Sequence, residues 1–551
     1  MKVTSLHEPA LRSLAERYRH QDPGVVSLFG AHPSRAEDWR DRAAWLHESA
    51  TRRADKAKVA GVLRQYHAGL PAHPAVQHSL ERLGQANSLV VVGGQQAGLF
   101  GGALMIFHKA RSVIQAARFA EQLLGCPVVP VFWIAGEDHD FDEANHVHVQ
   151  RADGAVKRIR IERPEGPRLA VSRTPISRDS WEAALAGLAA ELPDTAYKAD
   201  LLAKLGSHLT DSPTLSLAFA RLLAEWFGPE GLVLMDADDP ALRALEGPMF
   251  RQLIENNERL ESALDEGQSA VTALGLPLQA ESVPGGANLF LHHETGRLLL
   301  ARDNGSYVNR KSAVSMEREE LLALADRMPE KLSTNALSRP LMQDYVLPVL
   351  AAVLGPSELA YWGVLGPAFE AFGLRMPVMV PRQSYTYLDP QTLKLLDRFS
   401  LTPELAMRQW EEMKEAWLSA QIPWDMEGAF RSAKEQFLAM YSPLIEKVSA
   451  MQPGLASLTE SNRGKMLAQI DYLATRTRDA MVKQHEDELR QWEWIRSSLA
   501  PGGKPQERVY GTIQYWNLYG PDWLQGWRDV PFEPTGSHRL VEDVGCMCGT
   551  K

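Results

Sequence analysis

The sequence predicts an α/β fold with a parallel sheet, followed by a long helical hairpin. An apolar, β-branched run at residues 88–92 predicts a buried strand, which ends in a glycine-rich loop at 93–102. A helical pattern at 103–124 and a second apolar run at 127–134 follow it. A strand, a helix and a strand in this order form a βαβ unit, which requires parallel strands joined by a right-handed crossover.

Apolar spacing predicts the hairpin. Between residues 426 and 451, apolar residues alternate spacings of four and three, as in a coiled-coil seam. The seam residues are Met426, Phe430, Ala433, Phe437, Met440, Leu444, Val448 and Met451. Pro453-Gly454 breaks this helix, and a second helical pattern runs from about 460 to 499. We therefore expect two long antiparallel helices.

The same patterns divide the chain into three parts. We expect the α/β core at residues 1–388, with β-rich and helical insertions at about 141–175 and 240–330. The helical coiled-coil hairpin takes residues 389–500. The remaining residues, 501–551, are rich in Tyr and Trp, and we expect them to pack back on the core.

Composition narrows the class of protein. The chain has 551 residues, of which 45% are hydrophobic and 23% charged, as in ordinary globular proteins. The net charge of −10 argues against a nucleic-acid partner, because phosphate binding needs a local excess of Lys and Arg. The 3 cysteines are too few for a disulfide framework and favour a reducing compartment.

Segments typical of export or membrane insertion are not predicted. Residues 1–8 lack the apolar stretch of a signal peptide, and the apolar run at 346–354 is far shorter than the ~20 residues that span a bilayer. We therefore expect a cytoplasmic protein with no membrane partner. Cys546 and Cys548 are able to bind a metal or to oxidise, but without a second cysteine pair we favour a tail that carries no site.

The first candidate site is the loop after the first strand. In parallel α/β folds, ligands bind at the carboxyl ends of strands, where a glycine-rich turn lets backbone N–H groups approach an anion. The amides of two glutamines suit sugar hydroxyls or carboxylates. The alternative is a plain strand-to-helix turn, followed by a solvated lysine. The candidate binding residues are Gly94, Gln95, Gln96, Gly98, Gly101 and Lys109.

The second candidate site follows the second strand. Its catalytic candidates are Glu137, Asp138, His139 and Asp140, and Trp133 in the strand is a candidate for binding. Acids this close together in the sequence raise one another's pKa values, so the cluster is unfavourable for folding. A turn with a purely structural role does not need such a cluster. The cluster suits general acid–base work near neutral pH. A second interpretation is a metal site, because carboxylate and imidazole groups also suit Mn, Mg or Zn and His146 and His148 follow shortly in the sequence. A structural turn is the third interpretation.

Further candidates flank predicted helices and strands. Arg339, at the start of a helix, is able to clamp a carboxylate or a phosphate with two N–H groups. The segment 355–362 places an acid beside two aromatic residues, a combination that suits sugars. Taken one at a time, each of these residues is more simply interpreted as a core or surface residue. The binding candidates are Asn335, Arg339, Gln343, Asp344, Glu358, Tyr361, Trp362 and Arg382.

Several segments, taken together, resemble the bacillithiol-biosynthesis cysteine-adding enzymes. The run at 130–140, which contains Gly-Glu-Asp-His-Asp, is a long and specific match. The glycine loop at 92–100 is a weaker match alone, but it supports the resemblance when it occurs together with this run. The other matching segments lie at 338–344, 355–362, 381–382 and 506–508. The resemblance extends in order over nearly the whole chain.

This resemblance implies a Rossmann-type core, related in architecture to nucleotidyltransferases and class I aminoacyl-tRNA synthetases. It also implies connecting insertions and a coiled coil that forms a homodimer. The implied reaction is a ligase step that joins cysteine to the glucosamine amine of glucosaminyl malate, the last step of bacillithiol biosynthesis. The kinship suggests an ATP or ADP nucleotide, although no phosphate-binding motif compels it, and no metal is expected. Arg339 or Arg382 would hold the malate carboxylates or a phosphate.

Two other classes of function stay open at this point. A metal-dependent hydrolase or deacetylase would be built on the acidic cluster with His146 and His148. A non-catalytic scaffold would use the hairpin as its partner surface. Stoichiometric bound metal distinguishes the first class, and an unchanged cellular phenotype after Asp138→Ala and His139→Ala distinguishes the second.

Overall fold

The computed structural model describes residues 1–6, 12–209, 211–312, 314–422 and 424–542. The chain forms two compact units. The first comprises Met1–Tyr387 with Lys504–Lys551, and the second comprises Leu388–Gly503. Cys546 and Cys548, the candidate tail pair, lie outside the described residues.

A five-stranded parallel sheet forms the centre of the first unit. In chain order its strands are β1 (Leu89–Gln95), β2 (Val128–Ile134), β3 (Val233–Asp236), β4 (Val349–Leu354) and β5 (Val378–Pro381). They lie side by side in the order β3-β2-β1-β4-β5, which is a Rossmann-type order. The predicted α/β fold is thus confirmed. Because the order reverses between β1 and β4, the carboxyl ends of these two strands form the topological switch point at which such folds bind ligands.

Alternating side chains of β1 explain why its sequence is apolar throughout. Leu89 and Val91 belong to one hydrophobic core, whereas Val90 and Val92 belong to another. The strand is therefore buried on both faces, as a central parallel strand is expected to be. Helix α1 (Leu104–Leu124) joins β1 to β2 and packs against both strands.

Three smaller sheets complete the first unit. An antiparallel sheet consists of Gly286–His293, Gly296–Asp303, Ser306–Val308, Ser315–Glu317 and Leu332–Thr334. A two-stranded ribbon consists of His146–Gln150 and Val156–Arg160. A three-stranded sheet consists of Lys2–Ser5, His538–Glu542 and Ser384–Leu388.

Helices make up most of the rest of this unit. They are Leu14–Arg19, Pro23–Phe29, Ala36–Glu48, Lys56–His67, Pro74–Leu83, Phe141–Ala144, Arg178–Glu191, Lys198–Leu209, Leu215–Phe227, Pro240–Glu255, Asn257–Ala273, Arg318–Arg327, Arg339–Val346, Pro356–Trp362, Gly366–Ala371, Gln506–Val509, Thr512–Tyr519 and Pro521–Gly526. Within the described residues of the chain, no helix is both long enough and apolar enough to cross a bilayer.

A buried ion pair anchors the later part of the first unit. Arg382, which follows β5, donates to both carboxylate oxygens of Glu507, at 2.9 and 2.6 Å. Ser384 donates to the same carboxylate at 2.9 Å. Tyr510 and Trp527 are fully buried in the same unit, so the aromatic segment forms part of its core.

The second unit consists of the helices Pro390–Arg398, Pro403–Arg408, Trp410–Ala420, Met426–Met451, Ala456–Gln484 and Glu486–Leu499. The two longest helices pack against each other and form the predicted hairpin. Its second arm is not the single helix predicted from about 460 to 499. A break at His485 separates two helices there.

The predicted coiled-coil seam divides between two environments. Phe430, Phe437 and Val448 are half-buried. Met440 and Leu444, in contrast, are exposed by 65% and 51%. In a coiled coil, the seam residues are normally covered by a partner helix. Half of this seam is instead an apolar surface that the chain itself does not cover.

The Glu507 carboxyl is held ionised by its partner. Burial alone would raise the pKa of Glu507, but the charge and hydrogen bonds of Arg382 outweigh burial and lower the pKa to about 2. The ordinary value for a glutamate is 4.5. The pair therefore stabilises the folded chain fully above the ordinary value, and this stabilisation is lost as the pH falls towards the folded value.

We expect Glu507→Gln to remove this pH dependence. At neutral pH the variant should be less stable than the wild type by roughly 3 kcal/mol, and the difference should shrink as the pH falls from about 4.5 to about 2. Denaturant unfolding at a series of pH values measures this. Glu162→Gln, at an exposed pair with Arg160, is the control and should change little. A stability difference for Glu507→Gln that is the same at every pH would contradict the assignment.

Candidate active site

The carboxyl ends of β1 and β2 bring the first two candidate segments together. The two strands are neighbours and pair along the whole length of β1. Beyond their ends, the side-chain amide of Gln96 donates a hydrogen bond to the carboxylate of Asp138. The glycine loop and the acidic loop therefore meet at one edge of the sheet.

Lys109 connects this edge of the sheet to the switch point through hydrogen bonds. Its ammonium reaches back from α1 and donates to the Gly94 carbonyl at 2.7 Å and to Gln95 Oε1 at 3.0 Å. It also donates to Glu358, which follows β4. The Lys109 side chain is 2% exposed, so the solvated alternative is wrong. Burial lowers the pKa of Lys109, and the Glu358 carboxylate opposes this change.

Arg339 adds a second cation that interacts electrostatically with Glu358. Its Nη1 donates to Gln343 Oε1 at 2.9 Å, and its Nη2 donates to the Tyr361 hydroxyl at 3.0 Å. Burial would lower the pKa of Arg339, but Tyr361 and Glu358 raise it above its ordinary value. The Gly355 N–H donates to Glu358 Oε2 at 2.7 Å and fixes this carboxylate at the carboxyl end of β4.

The members of the acidic cluster lie in different environments. Glu137 is buried and faces Arg243 at 3.8 Å; burial raises its pKa, and Arg243 opposes the rise. Asp138 and His139 are partly exposed, by 32% and 34%. Asp140 is exposed and caps the short helix that follows it. Asp138 and His139 are therefore the members best placed to meet a substrate at this edge while remaining held by the protein.

Basic residues from elsewhere in the chain surround the acidic loop, and no motif predicts them. Arg297, in the strand Gly296–Asp303, has its Nη1 3.7 Å from Asp138 Oδ1. Arg243, in the helix Pro240–Glu255, has its Nη2 3.8 Å from Glu137 Oε2. Each is an isolated arginine in a strand or helix, a pattern that is also common on protein surfaces, so only the folded structure reveals these contacts.

Gly98 and Gly101 do not form the predicted anion site. Both are buried. A Cβ on Gly98 would lie 2.5 Å from a backbone Cα, and one on Gly101 would lie 2.3 Å from the Trp226 ring. The N–H groups of this turn are also used internally: Gly101 donates to Gly98 at 3.1 Å, and Leu104, at the start of α1, donates to Tyr510 at 2.7 Å. These glycines therefore allow close packing.

Trp133 and Trp362 belong to the hydrophobic core, so the predicted ligand contact is wrong for both. They are 1% and 0% exposed and lie in the same core cluster. Gly94 is needed beside the first of them, because a Cβ there would lie 2.5 Å from the Trp133 carbonyl oxygen. Gly94 itself is half-buried and contributes its carbonyl to the Lys109 ammonium.

Three further candidates make structural contacts. Asp344 is 1% exposed and pairs with two buried arginines, so it is not the predicted binding residue. Arg382 is likewise occupied, since both of its Nη atoms are held by the buried carboxylate described above. Asn335 Oδ1 accepts from two backbone N–H groups, at 3.0 and 2.9 Å, in the turn before the helix Arg339–Val346.

The residues of the metal-site alternative do not converge. The ring of His146 lies 3.0 Å from the Asp142 carbonyl and 3.2 Å from Arg158, and the ring of His148 lies beside it. Glu137 faces a buried arginine instead. In the part of the chain that the structure describes, no three His, Cys, Asp or Glu side chains are placed to share a metal ion. The geometry therefore does not favour the metal-dependent hydrolase.

These observations define a Rossmann-type α/β protein whose switch point carries two cations, a carboxylate that interacts with both and an acid–imidazole pair nearby. A family model described as "Bacillithiol biosynthesis BshC, N-terminal Rossmann-like domain" matches residues 1–383. A second, described as "Bacillithiol biosynthesis BshC, C-terminal coiled-coil domain", matches residues 385–542. The chain belongs to the BshC family of bacillithiol biosynthesis.

Similar proteins match this chain over most or all of their length. A "Putative cysteine ligase BshC" from Geobacillus thermodenitrificans is 34% identical over 548 residues, which cover 98% of this chain and 100% of the relative. A protein of the same name from Bacillus licheniformis is 32% identical over 507 residues, which cover 92% of this chain and 93% of the relative.

We expect Lys109→Met to lower kcat/KM by roughly 10²- to 10³-fold, because a preorganised positive charge at the switch point is lost. Arg118→Met, at an exposed position of the same helix, is the matched control and should leave kcat/KM unchanged. Thermal unfolding of both variants shows whether the fold is retained. Full activity of a folded Lys109→Met protein would contradict the role given to this lysine.

Proposed function

We propose that this protein catalyses, in the cytoplasm, the last step of bacillithiol biosynthesis, in which cysteine is joined to the glucosamine amine of glucosaminyl malate. Family membership makes the chain a ligase of bacillithiol biosynthesis, and the step and its two substrates are the proposal. The relatives are named as cysteine ligases. The observation that supports the assignment most directly is the hydrogen bond from Gln96 to Asp138. It brings Asp138 and His139, the acid–base pair, to the edge of the sheet where Lys109 binds the end of β1.

The amine of the sugar must lose a proton to become a nucleophile. Asp138 and His139 are the partly exposed members of the acidic loop, and they lie side by side with Asp138 Oδ1 3.6 Å from His139 Nδ1. Burial lowers the pKa of His139, and Arg297 adds to this effect. The imidazole is therefore neutral near pH 7 and able to accept the proton at Nε2, while Asp138 attracts the cationic amine.

The carboxyl carbon of cysteine develops negative charge on its oxygen when the amine attacks. Hydrogen-bond donors that are already in place stabilise such charge. The side-chain amide of Gln95 lies at the end of β1 and supplies N–H donors for it, and the Lys109 ammonium beside it supplies a fixed positive charge. Arg339, whose charge Glu358 stabilises, carries the fixed positive charge suited to the malate carboxylates.

A nucleotide such as ATP fits this site only in part. The helix N-terminus expected to cradle phosphates is closed, because the N–H of Leu104 donates to the Tyr510 carbonyl at 2.7 Å. Arg339 is the residue that would hold a phosphate group, and the buried Lys109 ammonium would add positive charge near it. Bound there, a nucleotide would supply activation of the cysteine carboxylate. We propose this dependence as a feature of the reaction for direct test.

Purified protein should form bacillithiol from cysteine and glucosaminyl malate, detected by mass spectrometry with ATP present and absent. Asp138→Asn and His139→Gln should each lower the rate by roughly 10²- to 10⁴-fold, the usual range for a lost acid–base group. Asp142→Asn, at an exposed position in the short helix that follows the loop, is the matched control. Absence of product in every nucleotide condition, while a relative succeeds in the same assay, would refute the proposed step.

We also propose that the hairpin makes the protein a homodimer. Met440, Leu444 and Met451 follow the predicted seam yet are exposed by 65%, 51% and 77%. A second copy of the hairpin would cover these side chains with an equally apolar surface, as coiled-coil partners do.

The wild type should therefore scatter light with twice the 61.3 kDa mass of one chain at micromolar concentration. Met440→Glu combined with Leu444→Glu should give the mass of one chain, because it places charges in the seam. Gln436→Glu with Lys447→Glu changes exposed polar positions of the same helix and should keep the mass of two chains. A wild type with the mass of a single chain would overturn the dimer.

A further inference from the structure

Arg297 connects the antiparallel sheet of the first unit to the acidic loop. It lies in the strand Gly296–Asp303, and its backbone N–H donates to the Arg168 carbonyl at 3.2 Å. Its side chain is only 6% exposed. A buried guanidinium needs acceptors for its N–H groups and an anion for its charge, so its contacts indicate what it does.

The sheet itself fixes the orientation of this guanidinium. Nε donates to Ser333 Oγ at 3.0 Å, and Nη2 donates to the Thr334 carbonyl at 2.7 Å. The guanidinium carbon lies 3.9 Å from the centre of the Phe290 ring, which supports one face of the group. With these positions set, Nη1 lies towards Asp138, whose Oδ1 is 3.7 Å away.

The same arginine also acts on His139. The imidazole packs on the Phe290 ring, with a distance of 5.9 Å between ring centres. The charged groups that face it are Asp138 and Asp140 of its own loop, Arg297 of the sheet and Arg168 of the preceding segment. Burial lowers the pKa of His139, the two arginines lower it further, and the two aspartates oppose them.

We propose that Arg297 is a positioning residue for the ligase reaction: it holds the Asp138 carboxylate in place and keeps the His139 imidazole unprotonated. This inference rests on the proposed function. In the step concerned, an N–H bond of the sugar ammonium breaks and an Nε2–H bond forms on His139. The freed electron pair on nitrogen then forms a C–N bond to the carboxyl carbon of cysteine, whose oxygen carries the phosphate-type activating group proposed above. The C–O bond to that group breaks, the group leaves with the bonding electrons, and a second proton leaves the nitrogen to water. Arg297 touches neither substrate and acts through the two residues beside it.

The expected result of Arg297→Met is a loss in kcat of roughly 10- to 100-fold with a smaller change in KM, because the acid–base pair is no longer held in place. The limb of the pH–rate profile that requires a neutral imidazole should move to higher pH, since removal of a cation raises the pKa of its neighbour. Arg297→Lys keeps the charge but loses the forked contacts, so its limb should stay close to that of the wild type.

The titration of His139 is also measurable without any substrate. Histidine NMR signals of the full-length protein, assigned with His139→Gln, should show an upward shift of the His139 pKa in Arg297→Met. Arg302→Met is the matched control, because Arg302 lies in the same strand but pairs with Glu258 and Glu261. It should leave both the NMR titration and the pH–rate profile unchanged, and thermal unfolding confirms that each variant is folded.

An Arg297→Met protein with lower activity but an unchanged His139 titration and an unchanged pH limb would overturn the proposal, since Arg297 would then be merely structural. The NMR result separates this failure from failure of the proposed function. If the wild type forms no bacillithiol, the proposed step is refuted, while the His139 titration still decides whether Arg297 sets the protonation of this loop.

Discussion

The arrangement at the switch point depends on one buried ammonium group. Taking a charged lysine out of water costs several kcal/mol unless its charge and its three N–H groups are matched. Lys109 meets this requirement with the Gly94 carbonyl and Gln95 from β1 and with the Glu358 carboxylate after β4. The strands β1 and β4 must therefore end where they can supply acceptors for the Lys109 ammonium. Arg339 and the acidic loop lie near these strand ends.

Local patterns predicted the core and part of the site because they reflect local requirements. The β1 run is apolar at every position because the strand is buried on both faces, and an acidic loop directly after a neighbouring strand must reach the same edge of the sheet. Pairing between residues that are distant in the sequence produces no local sequence pattern of this kind. Asp344 pairs with Arg42, which is 302 positions away, and Arg382 pairs with Glu507, which is 125 positions away. The sequence pattern therefore predicts a ligand contact at both residues where the structure has a buried ion pair.

Glycines and heptads show a related limit of sequence reasoning. A glycine in a turn indicates that something approaches closely, but not what approaches: at Gly101 it is the Trp226 ring and not an anion. The seam of the hairpin likewise indicates that apolar residues need cover, yet only part of it is covered within the chain, as the exposure of Met440 shows. In both cases the pattern was recognised correctly, and the partner had to come from the structure.

Burial explains why adjacent acids in one loop have different chemistry. Glu137 is enclosed, so its pKa is raised and it stays with Arg243, whereas Asp140 is exposed and caps a helix. Between them, Asp138 and His139 are close enough to the surface to meet a substrate and close enough to Arg297 to be held by a buried charge. A base held beside a carboxylate at the edge of a site supplies the proton transfer that acid–base catalysis needs. The sheet that supplies Arg297 therefore contributes to the chemistry of a loop that it does not contain.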